Sequence, residues 1–141
     1  MRRGEQAPER AQEEPNMPDP QKKILVVDDS STALLMSMTI LSRGGFVLIA
    51  AHDGAEALEK AHAEHPDLIV MDVVMPKMDG FEACRELRRS EDTRNIPVLL
   101  VTTRGEPVNV EKGYESGCTD YLSKPIRGPE LLAKVRGHLT T

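Results

Sequence analysis

An α/β domain organised around a parallel sheet is the fold class this sequence predicts, and three observations carry the expectation. Five short apolar runs recur along the chain, segments with helical spacing separate them, and carboxylate, hydroxyl and lysine side chains stand where several runs end. Apolar runs without polar alternation mark strands buried on both faces, and helices between them supply the crossovers that a parallel sheet requires. Such crossovers are right-handed, helices cover both faces, and sites form at the carboxyl ends of the strands.

The strands are expected at Ile24–Val27, Phe46–Ala51, Leu68–Met71, Val98–Val101 and, more weakly, Tyr121–Leu122. After the first, Leu34, Leu35, Met38 and Leu41 share one face of a helix that should stop at Gly44-Gly45. Ala57, Leu58 and Ala61 repeat the spacing ahead of a break at His65-Pro66. Phe81, Cys84 and Leu87 mark a third helix, and Leu131, Leu132, Val135 and Leu139 a last one. The segment Glu106–Gly117 is a poorer helix, with Pro107 near its start and Gly113 inside it, and should be short or mobile.

A chain of 141 residues suits one domain with a core of its own. Residues 1–21 hold four prolines and few large apolar side chains, so they read as a disordered tail ahead of a domain over 22–141. No stretch approaches the roughly 20 apolar residues of a membrane span. Nor does the N-terminus carry an apolar signal core, so a cytoplasmic location without membrane contact is expected. Cys84 and Cys118 make neither a disulfide framework nor a metal spacing and read as reduced thiols. Residues 1–23 balance at five basic and five acidic, so the net charge of −5 lies beyond them. With no basic block, contact with nucleic acid through this chain is not expected. His62 and His65 have no third ligand near in sequence and read as surface or boundary residues.

The strand ends carry the chemistry. Strand one ends in Asp28-Asp29, strand three in Asp72, strand four in Thr102-Thr103, and strand five runs into Lys124-Pro125. Alone, Asp29 or Ser30 would read as a helix cap, Thr102 as a strand residue and Lys124 as a loop lysine. Together they bring three carboxylates, a hydroxyl and an ammonium to one edge. At an effective dielectric of about 20, two carboxylates 4 Å apart repel by roughly 4 kcal/mol, so a hard divalent cation such as Mg²⁺ or the lysine must relieve them. A carboxylate beside such a cation and a lysine suits nucleophilic attack on phosphorus, and the central strand gives that part to Asp72. Neither GxGxxG nor GxxxxGK[ST] follows strand one, which sets nucleotide-binding readings aside.

The motifs "ILVVDDS", "DLIVMDVVMPKMDGFEACRELR", "IPVLLVTT" and "DYLSKP" carry a resemblance. From about Lys22 to Leu139 the chain resembles the receiver domain of two-component response regulators. The resemblance implies a flavodoxin-like, doubly wound (βα)5 fold with strand order 2-1-3-4-5. It implies a signalling switch that catalyses only its own phosphorylation and dephosphorylation, Asp72 taking phosphate from a histidine kinase or phosphotransfer protein. Mg²⁺ would be held by Asp29, Asp72 and the Val74 carbonyl, with Asp28 acting largely through water. Thr102 and Lys124 would meet the phosphoryl oxygens, and Tyr121 would turn inward as Thr102 moves. The face of the fourth helix, fifth strand and fifth helix would then pass the state to a protein partner, from a monomer or weak dimer.

The departures from the family pattern bear on mechanism. Thr103 stands where the family more often has alanine and adds bulk near the phosphate entrance. Val74 and Arg104 frame the path of the hydrolysing water, and an apolar Val74 offers it no hydrogen bond, so a long phosphorylated lifetime is expected. An aspartyl phosphatase would need an acid at the position of Val74. The remaining alternative is a phosphate-independent, receiver-like scaffold. No output region follows Leu139, leaving a chain that acts alone, like chemotaxis-type regulators, or a piece of a longer one.

Overall fold

The computed structural model describes residues 21–103 and 107–139; the side chains of Thr103 and of residues 107–110 lie outside that description. The tail expected over 1–21, apart from Gln21, and Arg104 also fall outside the described residues. Five strands, β1 (Lys23–Val27), β2 (Val47–Ala51), β3 (Leu68–Asp72), β4 (Val98–Thr103) and β5 (Asp120–Lys124), alternate with five helices. The helices are α1 (Ser31–Ser42), α2 (Gly54–Glu64), α3 (Gly80–Arg89), α4 (Pro107–Glu115) and α5 (Gly128–Leu139). All strand pairs are parallel and the order is β2-β1-β3-β4-β5, the flavodoxin-like arrangement.

The strand period of two divides the core. Leu25, Val27, Ile69, Met71, Val98 and Leu100 turn to the side where Ala57, Phe81, Cys84 and Leu87 pack. Ile24, Val26, Leu68, Val70, Leu99 and Val101 turn to the other, against Leu34, Leu41, Leu131 and Val135. Both sheet faces are therefore filled, which is why the central strands are apolar at every position. Cys84 and Cys118 lie free in the first cluster, and burial pushes the Cys118 thiol up to about 11, with Cys84 beside it adding to the rise.

One helix reading needs correction, and one choice of cap is decided. Leu35, expected on the buried face of α1, is 67 % exposed, while Ser37 is buried with Leu34 and Leu41. A stripe through 34, 37 and 41 keeps the i, i+3, i+7 spacing, and a small hydroxyl fits where the larger leucine points away. Ser30, not Asp29, caps α1, its hydroxyl accepting from the Ala33 amide at 3.2 Å. Helix α4 is the shortest of the five at nine residues. Its Gly113 is a contact point, since an added Cβ would meet Cys118 Sγ at 3.3 Å.

At the amino edge of the sheet one side chain ties three segments together. Arg88 on α3 donates to the carbonyls of Gly117 and Ile96, both at 2.8 Å, and of Arg94 at 3.1 Å.

Candidate functional site

Three strand ends converge. The backbone of Asp28 continues the β1–β2 ladder, its amide donating to the Ala51 carbonyl at 3.1 Å. Its carboxylate accepts from the Ser30 amide at 2.9 Å, which turns the chain into α1 and leaves Asp29 exposed beside it. Asp72 closes the central strand and is buried, as is Asp28. Carboxylate oxygens of Asp28, Asp29 and Asp72 all lie within 4.8 Å of one another. From the end of β5, Lys124 brings its ammonium to 3.4 Å from Asp72 Oδ1.

The electrostatics follow from this packing. Burial, then the Asp28 charge, pushes the Asp72 carboxyl above its ordinary value; Lys124 pulls the other way without prevailing, and Asp29 adds to the rise. One ammonium therefore leaves the three acids under-neutralised. An all-oxygen donor set of this charge fits a hard divalent cation.

Of the remaining expected residues, Thr102, Tyr121 and Val74 have described side chains. Thr102, fully buried at the end of β4, donates its hydroxyl to the Leu122 carbonyl at 3.4 Å. Tyr121 is half-buried and meets Tyr114 of α4 edge to face, with centroids 5.9 Å apart. The Val74 side chain is 65 % exposed in the loop after β3. The Lys124-Pro125 bond is cis.

The loop from β3 to α3 is shaped by a cap, a close approach and a left-handed residue. Asp79 is the N-cap of α3, in a reciprocal capping box with Glu82. The spacing Asp79-x-x-Glu82 is the signal that marks it. Gly80 is required by close approach, because a Cβ there would lie 2.5 Å from the Asp72 carbonyl oxygen. The positive φ of the loop falls on Lys77 instead, at 70°.

With the geometry described, the relatives can be placed. The profile of the response regulator receiver domain matches residues 24–136. This chain belongs to that family. Receiver domains are signalling domains of two-component systems rather than conventional enzymes. The alkaline phosphatase synthesis transcriptional regulatory protein PhoP of Bacillus subtilis is 43 % identical over 118 residues, which are 84 % of this chain and 48 % of that protein. The chain thus spans about half the length of the curated relatives it matches. A putative response regulator from Chloroflexus aurantiacus superposes with a TM-score of 0.83 at 32 % identity, over 86 % of this chain and 99 % of that one. The receiver domain of sensor histidine kinase PA1611 from Pseudomonas aeruginosa PAO1, solved with magnesium coordinated in its active site cleft, gives 0.80 at 28 % identity, over 86 % and 99 %. Among the described residues no helix is long and apolar enough to cross a membrane.

Proposed function

We propose that the chain is a phosphorylation-dependent switch in which Asp72 accepts a phosphoryl group from a histidine kinase or phosphotransfer protein. The observation that carries this reading is the cluster of Asp28, Asp29 and Asp72 with the Lys124 ammonium 3.4 Å from the Asp72 carboxylate. Asp29, Asp72 and the Val74 carbonyl would hold Mg²⁺ directly, and Asp28 largely through water. When bound, the ion supplies positive charge that offsets the charge on a transferring phosphoryl group.

The protein's own groups do the rest. Asp72 presents its carboxylate oxygen as nucleophile, and Lys124 shifts from that carboxylate to a phosphoryl oxygen. Thr102, whose long bond to the Leu122 carbonyl holds it weakly, turns its hydroxyl to a second phosphoryl oxygen. Tyr121 then leaves its edge contact with Tyr114, changing the face of α4, β5 and α5 that a protein partner reads. Output by protein contact rather than by DNA contact of this segment is supported by its negative charge and lack of a basic block. Val74, exposed in the loop after β3, would frame the approach of water.

The test is Mg²⁺-dependent uptake of phosphate from a small phosphoramidate donor by the wild type and Asp72→Asn. Labelling is expected for the wild type alone, with a label that persists well beyond seconds because Val74 offers the hydrolysing water no bond. Equal labelling of both overturns the assignment and leaves the phosphate-independent scaffold, and decay within seconds overturns the role given to Val74.

A further inference from the structure

The segment from Val74 to Asp79 leaves and rejoins the sheet edge through one backbone bond, the Gly80 amide donating to the Val73 carbonyl at 2.8 Å. Within it the chain reverses sharply. The Met78 amide donates to the Pro76 carbonyl at 2.8 Å, and Lys77 between them has a φ of 70°. A three-residue turn with a positive central φ is the rarer, strained form of the γ-turn, and a residue bearing a Cβ adds to the strain. A strained turn persists only where its surroundings determine it.

Those surroundings lie on α2. Gly54, the buried first residue of that helix, sits directly against Met78. A Cβ at Gly54 would lie 2.9 Å from the Met78 carbonyl oxygen and 3.0 Å from the Met78 Cβ and Cγ. The backbone oxygen cannot rotate away as the end of a side chain can. Nothing in α2 itself calls for glycine, since alanine is the better helix former and Asp53 already caps the helix through the Glu56 amide at 2.8 Å. The missing side chain is explained by the turn resting on it.

We infer that Gly54 is a positioning residue for the carboxylate site. Its bare Cα sets the depth of the Pro76–Met78 turn, and the turn in turn sets Val74, two residues before Pro76. The other end of the loop is pinned at Val73 and Gly80, so a displacement of Met78 is taken up between Val74 and Lys77. The inference rests on the proposed function, which makes the Val74 carbonyl an ion ligand.

The experiment is calorimetric titration of Mg²⁺ into the full chain as wild type, Gly54→Ala and Gly137→Ala. Gly137 is the control, because an added Cβ there meets no atom of the described residues within 4 Å. Gly54→Ala is expected to bind Mg²⁺ at least fivefold more weakly, and Gly137→Ala as the wild type does. A wild type that takes up no Mg²⁺ refutes the proposed function itself. A wild type that binds, with folded Gly54→Ala binding equally well, refutes this inference alone, whatever happens to the melting temperature. Should Gly54→Ala not fold, Met78→Gly withdraws the side chain that rests on Gly54. It is expected to weaken Mg²⁺ binding too, and unchanged affinity in that variant overturns the inference.

Discussion

Replacing Asp72 by asparagine should make the protein more stable at neutral pH. Each pair of carboxylates within 4.8 Å repels by about 3.5 kcal/mol at an effective dielectric of 20, so the Asp28 and Asp29 pairs together oppose folding by about 7 kcal/mol. Lys124 at 3.4 Å returns about 5 kcal/mol on the same scale. The difference, about 2 kcal/mol, is the upper end of the gain for the neutral variant, because solvent around Asp29 and Lys124 weakens both opposing terms. For a domain of about 120 residues this is a rise of up to about 8 °C in Tm. The sign with pH follows from the raised Asp72 carboxyl. Its penalty is complete above the folded-state pKa and absent below the ordinary value of 3.8, so the two curves converge as pH falls toward that value. Mg²⁺ should raise the wild type's Tm and raise that of Asp72→Asn less, since the variant has lost one ligand and part of the repulsion. Thermal unfolding from pH 7 to pH 4.5, with and without Mg²⁺, measures all of this. A variant no more stable than the wild type at neutral pH without divalent cations would refute the reasoning.

Two further substitutions test the frame around the site. Arg88→Met keeps the apolar stem but leaves the Gly117 and Ile96 carbonyls unpaired, and should lower the unfolding free energy by about 2–3 kcal/mol in urea denaturation. A loss below about 0.5 kcal/mol would mean that water replaces the guanidinium without penalty. Lys77→Gly should raise stability by about 1 kcal/mol, because roughly 1–2 kcal/mol of left-handed strain exceeds the added chain entropy of glycine, roughly 0.5–1 kcal/mol. The same urea titration checks it, and a fall in stability would show that the lysine side chain contributes more than its backbone strain removes.

The parts of this protein that were readable in advance are those set by periodicity and by what stands at the end of a run. The apolar runs located every strand to within one or two residues, most plainly the central strands β1, β3 and β4, where burial on both faces leaves few polar positions to confuse the limits. Asp28, Asp29, Asp72 and Lys124 were readable as one site because a parallel sheet brings its carboxyl ends to one edge. The face of α1 was misread because Ser37 carries no hydrophobic signal, although its position is buried. Cap identity escaped as well, since Asp29 and Ser30 are both good N-cap residues and only the geometry separates them. Gly54 and Gly80 were opaque for a deeper reason. Neither has a positive φ; both are small because of atoms contributed by distant segments, and no local pattern records such contacts.

The site's components come from the ends of separate strands, spread from position 28 to position 124, with no two of the β1, β3 and β5 contributions local in sequence. Such a centre is made almost wholly of non-local contacts, the kind whose loop-closure entropy is met late in folding. No fragment lacking β1 or β3 holds all three carboxylates. Ion binding of the proposed kind would therefore require β1 and β3 to be paired as in the native topology. A calorimetric titration of this protein would count correctly assembled molecules as directly as it measures affinity.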